Sequence, residues 1–335
     1  MHLSWSTNLE RRLRRLLLSS YRGSISLGEK LDEVECWPCG SKLELQLSLY
    51  TLARRIYPEK YLKFLKLRLP WCIGLTSDPF PRLETTNRLH NKFRRIWGPF
   101  PSRAAAQQYQ DEVLGLFQIR RCTEMLAPRR DHPGCIYGEM SQCLRPCQEA
   151  VSREEYSAEV SRVHDFLHSN GRTALALLTS ARDRACDEAE FEQAAQMHKR
   201  IERLKAAAGE RDPVVDDLDQ FHGLALTRSL NENSLFLWPM FGGFWQEPVS
   251  LALSGNQSEP KSLDTQLREL VSERLRTPRQ EGNRAEELAV FARWFFSSWR
   301  DGEWFPFTTL ANLSYRRLIR EVSKLAHHSC PSTRN

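Results

Sequence analysis

Cys122, Cys135, Cys143 and Cys147 lie within 26 residues in the order Cys-x12-Cys-x7-Cys-x3-Cys. Four thiolates so close in sequence can surround one tetrahedral metal ion or one cubane cluster. The prolines and glycines between them (Pro128, Pro133, Gly134, Gly138, Pro146) let the chain wrap. Free cysteines are often small core hydrophobes, but this segment is too polar and too broken for a core. Zinc and iron–sulfur chemistry both suit the donors. Zinc sites usually use a close Cys pair at each end, and a single close pair leans towards iron–sulfur.

A second short spacing, Cys36-Trp-Pro-Cys39, has no second close pair nearby and reads as structural. Cys72, Cys186 and Cys330 are isolated and receive no role. Asp216, Asp217, Asp219 and His222 could be imagined as a cation-binding cluster, yet a solvated charge run in a linker sheet is the plainer expectation.

The elements that must position these residues are legible in outline. Leu9, Leu13, Leu16 and Leu17 give a short helix within 5–20, with Ser6 or Thr7 as cap. Residues 33–39 are expected as a strand, and 42–57 as an amphipathic helix stopped by Pro58. Residues 60–121 read as short strands, then Trp97-Gly-Pro-Phe-Pro101 as a loop, then a helix capped by Ser102. Ser152-Arg-Glu-Glu155 fits a capping box that opens a helical region to 208. Gly171 divides it into one helix and a pair at about 173–187 and 189–208. Strands follow in 214–253, a polar linker in 254–262, then helices near 263–276, 284–299 and 313–327. The fold class is α+β.

The chain has 335 residues, 41% hydrophobic and 27% charged, with a formal net charge of +6. Its length allows two or three domains at about 100–200 residues each. A mild positive charge permits an anionic partner such as nucleic acid without demanding one. No run of 18 apolar residues suggests a membrane span, and the Arg-rich start lacks the apolar stretch of a secretory signal. Nine cysteines in such a chain point to reduced thiols and a cytoplasmic location.

Trp97-Gly-Pro-Phe-Pro-Ser102, Leu116-Phe-Gln-Ile-Arg-Arg-Cys122, Cys135-Ile-Tyr137 and Cys143-Leu-Arg-Pro-Cys147 resemble, in order and spacing, the UvrC/Cho family of bacterial nucleotide excision repair. Ile73-Gly-Leu-Thr76, Phe80-Pro-Arg-Leu83, Glu154-Glu-Tyr156 and Val163-His-Asp-Phe-Leu167 extend the likeness, which covers roughly residues 5–225. The resemblance implies an iron–sulfur cluster on the four cysteines, with zinc as the alternative. It also implies a function in incising, or helping to incise, damaged double-stranded DNA together with UvrB, the alternative being an inactive UvrB-docking or nucleic-acid-binding adaptor. The expected layout is an incomplete GIY-YIG nuclease-like domain in 1–95, the four-cysteine linker in 96–150, a helical region in 151–211 and a small α+β region in 212–335.

Glu190-Phe-Glu-Gln-Ala-Ala195, with Ile201 and Leu204, resembles the family's UVR helical hairpin, which pairs with UvrB. This assigns partner contact to Glu190, Phe191, Glu192, Ala194, Ala195, Ile201 and Leu204. Near the start, Ser6 to Leu13 resembles the helix after the YIG strand, so Arg12 falls on the active-site arginine. His2 stands where a tyrosine belongs, and Glu44 matches a family glutamate while Leu49 replaces the metal-binding one. Either a late start or a degenerate, truncated domain would explain this, and magnesium is expected only if the nuclease is active. Ile136-Tyr137-Gly138 lies inside the cysteine loop and is unrelated to the YIG strand. Arg11, Arg12, Arg14 and Arg15, with Lys63, Lys66, Arg68, Lys92, Arg94 and Arg95, are candidate phosphate contacts.

Overall fold

The computed structural model describes residues 3–18, 33–209, 211–253, 262–274 and 282–327. The chain is a mixed α+β structure built on two antiparallel sheets. Helices α1 (Leu9–Leu18), α2 (Lys42–Ile56) and α3 (Tyr61–Leu65) come first. Asn8 caps α1 by accepting the Arg11 N–H at 2.8 Å, in place of Ser6 or Thr7. Residues 33–39, expected as a strand, are irregular and mostly exposed. Their alternation meets no neighbouring edge, and an unpaired strand gains nothing from its pattern.

Strands β1 (Trp71–Thr76), β2 (Leu83–Thr86) and β3 (Phe93–Phe100) are followed by α4 (Arg103–Leu116), with the Ser102 hydroxyl accepting from Ala105 N–H at 3.1 Å. The stretch expected as a loop, Trp97 to Phe100, is the end of β3. Ile73 pairs with Trp97 but Trp71 with Phe100, so β3 carries one extra residue across Gly98-Pro99. That bulge accommodates a proline with no N–H to give. Gly98 is required there, because a Cβ would lie 2.6 Å from the Cys72 sulfur.

After the cysteine segment, with its one-turn helix α5 (Ile136–Glu139), come α6 (Arg153–Ser169), α7 (Arg172–Asp187) and α8 (Phe191–Gly209). Both hydrogen bonds of the Ser152–Glu155 capping box are present. The chain turns between α6 and α7 at Asn170 and Gly171, both left-handed. Strand β4 (Asp216–Asp217) then returns to pair with Trp97 and Gly98, giving the sheet order β2-β1-β3-β4. Its core joins Ile73, Leu75 and Trp97 to Tyr109 of α4, to Tyr156, Val163 and Phe166 of α6, and to Leu204 and Ala207 of α8.

The second sheet comprises β5 (Gly223–Arg228), β6 (Ser234–Phe241), β7 (Phe244–Trp245), β8 (Val249–Ala252) and, after α9 (Leu263–Arg274) and α10 (Arg284–Phe295), β9 (Gly302–Pro306). Its period-two alternation buries both faces. Leu224, Leu226, Leu235 and Leu237 meet α9 and the last helix, α11 (Tyr315–His327). Ala225, Trp238, Met240 and Trp304 meet Phe291 and Trp294 of α10, together with Leu43 of α2 and Cys72 of β1. A polar latch reinforces this last contact. The Tyr50 and Tyr61 hydroxyls donate to the two oxygens of the buried Glu286 carboxylate, at 2.7 and 2.8 Å.

Candidate functional site

The cysteine segment hangs between the first sheet and α6, and one arginine anchors its start. Arg120 is 2% exposed. Its guanidinium donates to Phe80 O at 2.6 Å, Glu124 O at 2.8 Å and Asp78 Oδ1 at 3.0 Å, with longer contacts to Cys122 O and, at 3.8 Å, the Cys122 sulfur. Its backbone N–H donates to the Tyr156 hydroxyl, which in turn donates to Pro81 O. A buried guanidinium is tolerable only when its donors are satisfied, and here they join residues 78–80 to 122–124. Gln118 adds a second strap, accepting Leu144 N–H on its carbonyl and donating from its side chain to Ser141 O.

Between these straps the backbone is strained. Ser141, Arg145 and Glu149 all have positive φ, at 55°, 56° and 53°. For residues with a Cβ this conformation costs about 1–2 kcal/mol each. The left-handed residues flank Cys143 and Cys147 and turn the chain back on itself. Cys135 opens the one-turn helix α5, and Ile136-Tyr137-Gly138 lies in that helix rather than on any strand. Arg145 N–H points at the Cys143 sulfur, 3.4 Å away.

Cys143 and Cys147 are buried, Cys122 and Cys135 half-buried. Burial, against the Arg145 N–H and with the charges of Cys122, Cys135 and Cys147, pushes the Cys143 thiol up to about 11. Burial and then Cys135 and Cys122 raise Cys147 in the same way. The four sulfurs therefore share one electrostatic neighbourhood. No group of three His, Cys, Asp or Glu side chains among the described residues is arranged to hold a metal ion, so the thiols do not close on one point. The donor set fits a metal centre in type, number and shared loop. A bound cation would stabilise the thiolates that burial disfavours.

The Asp216–His222 cluster has the opposite character. Asp216 faces Arg211 at 3.3 Å. Asp219 pairs with Arg95 and Arg284, each at 2.9 Å. Asp217, 2% exposed, accepts Asp219 N–H at 3.0 Å and lies 3.5 Å from Arg95. Burial raises the Asp217 carboxyl and lowers the His222 imidazole, whose Nδ1 accepts Gly242 N–H at 2.9 Å.

The N-terminal candidates are scattered in role. Arg12 Nε donates to Ser4 Oγ at 2.9 Å, and Arg14 pairs with Glu10. Arg11 and Arg15 are exposed. Glu44 accepts Gly40 N–H at 2.7 Å as part of the α2 cap, and Leu49 is buried against Leu3 and Ala53. Cys39 is raised first by burial and then by Glu44, against a hydrogen bond with Ser48. Lys92 pairs with Glu84, while Lys63, Lys66, Arg68 and Arg94 are exposed.

Helices α7 and α8 form a hairpin that turns at Ala189 (φ 60°). It divides the expected contact residues into two sets. Ala194, Ile201 and Leu204 are buried. Glu190, Glu192, Ala195 and Phe191 are exposed, Phe191 by 72% and Leu177 of α7 by 68%. Sequence reasoning gave no role to Arg120, Tyr156 or Asp78; nothing separates Arg120 from its neighbour Arg121 until the fold buries one of them.

No helix among the described residues is long and apolar enough to cross a membrane. Residues 70–166 match the family described as the UvrC/Cho excinuclease middle domain. The chain is 30% identical over 179 residues to the UvrABC system protein C of Carboxydothermus hydrogenoformans, covering 53% of this chain and 29% of the relative. It is 26% identical over 206 residues to that of Lacticaseibacillus casei, covering 61% and 33%. The Sphingopyxis alaskensis protein is 29% identical over 157 residues, covering 47% and 24%. The chain thus spans a third or less of the length of these relatives. No solved structure matches it. Through the domain that holds the Arg120 anchor and the four cysteines, the chain is similar to the UvrC/Cho excinuclease family.

Proposed function

We propose that the chain works in bacterial nucleotide excision repair, in the cytoplasm, as a UvrC-type protein that binds damaged DNA and docks on UvrB. The observation that carries this reading is the UvrC/Cho middle domain at 70–166. Cys122, Cys135, Cys143 and Cys147 would hold an iron–sulfur cluster, or a zinc ion, as thiolates. That group would supply a covalent tie across the strained loop. Arg120 and Gln118 hold the loop to the sheet and to α6 from the protein side.

UvrB docking falls to the α7–α8 hairpin, where Phe191 lies exposed at the tip beside Glu190 and Glu192 and Leu177 is exposed further along α7. Exposed apolar side chains rimmed by charge suit a matching hairpin on a partner. The N-terminal residues support an assisting role in incision. Position 49 is a buried leucine and Glu44 is engaged in its own helix cap, so Arg12 has no carboxylate partner for magnesium from these positions. The test is a magnesium-dependent incision assay with UvrB on lesion-containing DNA, run beside a UvrB pull-down. Capture of UvrB without a new DNA product is expected. A magnesium-dependent product would overturn the assisting role, and failure to capture UvrB would overturn the docking role.

A further inference from the structure

A cleft of about 830 Å³ opens between the first sheet and α6. One wall is the loop after β1 together with β3, which contribute Ser77 and Arg94; the other is α6, which contributes Arg153, Ser157 and Ser161. Residues 153, 157 and 161 are spaced i, i+4, i+8, so they form one stripe along the helix. At 1.5 Å per residue the stripe is about 12 Å long. That length accommodates about three phosphates of one nucleic-acid strand at 3.4 Å of axial rise each.

The cleft's charges are not matched internally. Asp78 on its floor is committed to Arg120 at 3.0 Å and approached by Arg82 at 3.7 Å. Arg94 and Arg153 are exposed and have no ion pair or hydrogen bond among the described residues. This contrasts with Arg82, Arg95, Arg120, Arg211 and Arg284, each of which has a carboxylate. Two free guanidinium groups therefore face one uncommitted carboxylate, Glu154. The walls are also fixed before any ligand arrives. Phe80 packs edge-on against Tyr156 with ring centres 5.4 Å apart, and Ser77 N–H donates to Lys92 O at 2.7 Å. The lining contains no aromatic ring, so it offers no platform for a base.

From the two free arginines, the hydroxyl stripe and the rigid walls, we infer that this cleft is a binding site for the sugar–phosphate backbone of DNA. It rests on the reading of the chain as a DNA-repair protein and adds to it a contact site on the middle domain. Guanidinium groups take phosphate oxygens bidentately and the serine hydroxyls complete the contact. A site of this kind positions the DNA without reading its sequence.

The test is fluorescence anisotropy of the full chain with a labelled DNA duplex across a salt series. Removing both arginines in Arg94→Gln/Arg153→Gln is expected to flatten the slope of log affinity against log salt by about 1 per arginine. At about 0.1 M salt each loss should weaken binding on the order of tenfold. Because both side chains are exposed, the thermal midpoint should not move. Glu154→Gln is expected to tighten binding, which no generally damaged protein would do. If the double variant keeps the wild-type slope while a variant lacking Arg11, Arg14 and Arg15 loses affinity, the cleft is excluded and the repair reading stands. If the wild-type chain binds no duplex at low salt, both fall.

Discussion

Two stretches of this chain crowd together residues that ligate cations, and the fold treats them in opposite ways. In 216–222 the three aspartates have arginines or backbone N–H groups as partners, and the histidine nitrogen accepts a backbone N–H. In 122–147 the thiols have weak polar contacts alone, from Arg120, Arg145 N–H and the backbone N–H groups of Cys147 and Gln148, in a loop that carries left-handed Ser141 and Arg145. Carboxylates are strong acceptors and find partners inside a protein; thiols are weak ones and stay available. A ligand-rich sequence is a metal centre only where the fold leaves the donors unclaimed.

The sharpest way to break that contrast is a matched pair of substitutions. Cys143→Ser should abolish metal retention and cost roughly 3 kcal/mol or more in urea unfolding, because the tie across the strained loop is lost. Asp217→Asn should change stability by less than about 1 kcal/mol, since an amide oxygen can still accept Asp219 N–H. The pH sense agrees. A carboxyl raised in the folded state contributes stability that is complete below its unfolded value of 3.8 and is lost as pH rises through the folded one. At neutral pH the buried charge of Asp217 is thus a burden that asparagine lifts. Equal losses from the two variants would erase the distinction.

Next in size is Arg120. Arg120→Met leaves Phe80 O and Glu124 O without their side-chain donor and takes from Asp78 its closest cation, and should cost about 3 kcal/mol. Arg120→Lys should recover little, because one ammonium cannot span those acceptors. A fully stable Arg120→Lys protein would mean that charge, not the fork of hydrogen bonds, holds the loop.

The hairpin sharpens a different contrast, between core and surface on one helix. Leu204→Ala should cost about 2–3 kcal/mol, whereas Phe191→Ala should stay within about 0.5 kcal/mol and yet reduce UvrB capture. The smallest effect belongs to His222. Burial lowers its basicity, so its contribution is present above the unfolded value of 6.5 and is lost as pH falls through the folded one. Unfolding at about pH 7.5 and about pH 5.5 should show an acid sensitivity that His222→Gln reduces.

Several local signals in the sequence act as their spacing implies, although α1 takes Asn8 as its cap instead of Ser6 or Thr7. The Ser152–Glu155 box, the Ser102 cap and the break at Gly171 each depend on residues a few positions apart, and each is present. Signals that need a distant partner were not legible. Trp97-Gly-Pro-Phe100 looks like a loop until β1 and β4 pair with it around a bulge. Arg95 looks like a free cation until Asp219, 124 residues away, meets it. The four cysteines fall in one loop, as their spacing implies, but Arg120, which anchors that loop, is one basic residue among many in the sequence.

The most direct measurement is the metal content and visible spectrum of the full chain purified without oxygen, with its reactive thiols counted before and after chelation. One cluster or one zinc ion per chain is expected, with Cys122, Cys135, Cys143 and Cys147 protected until the metal is stripped. A folded, colourless, zinc-free protein whose four thiols react at once would contradict the metal centre.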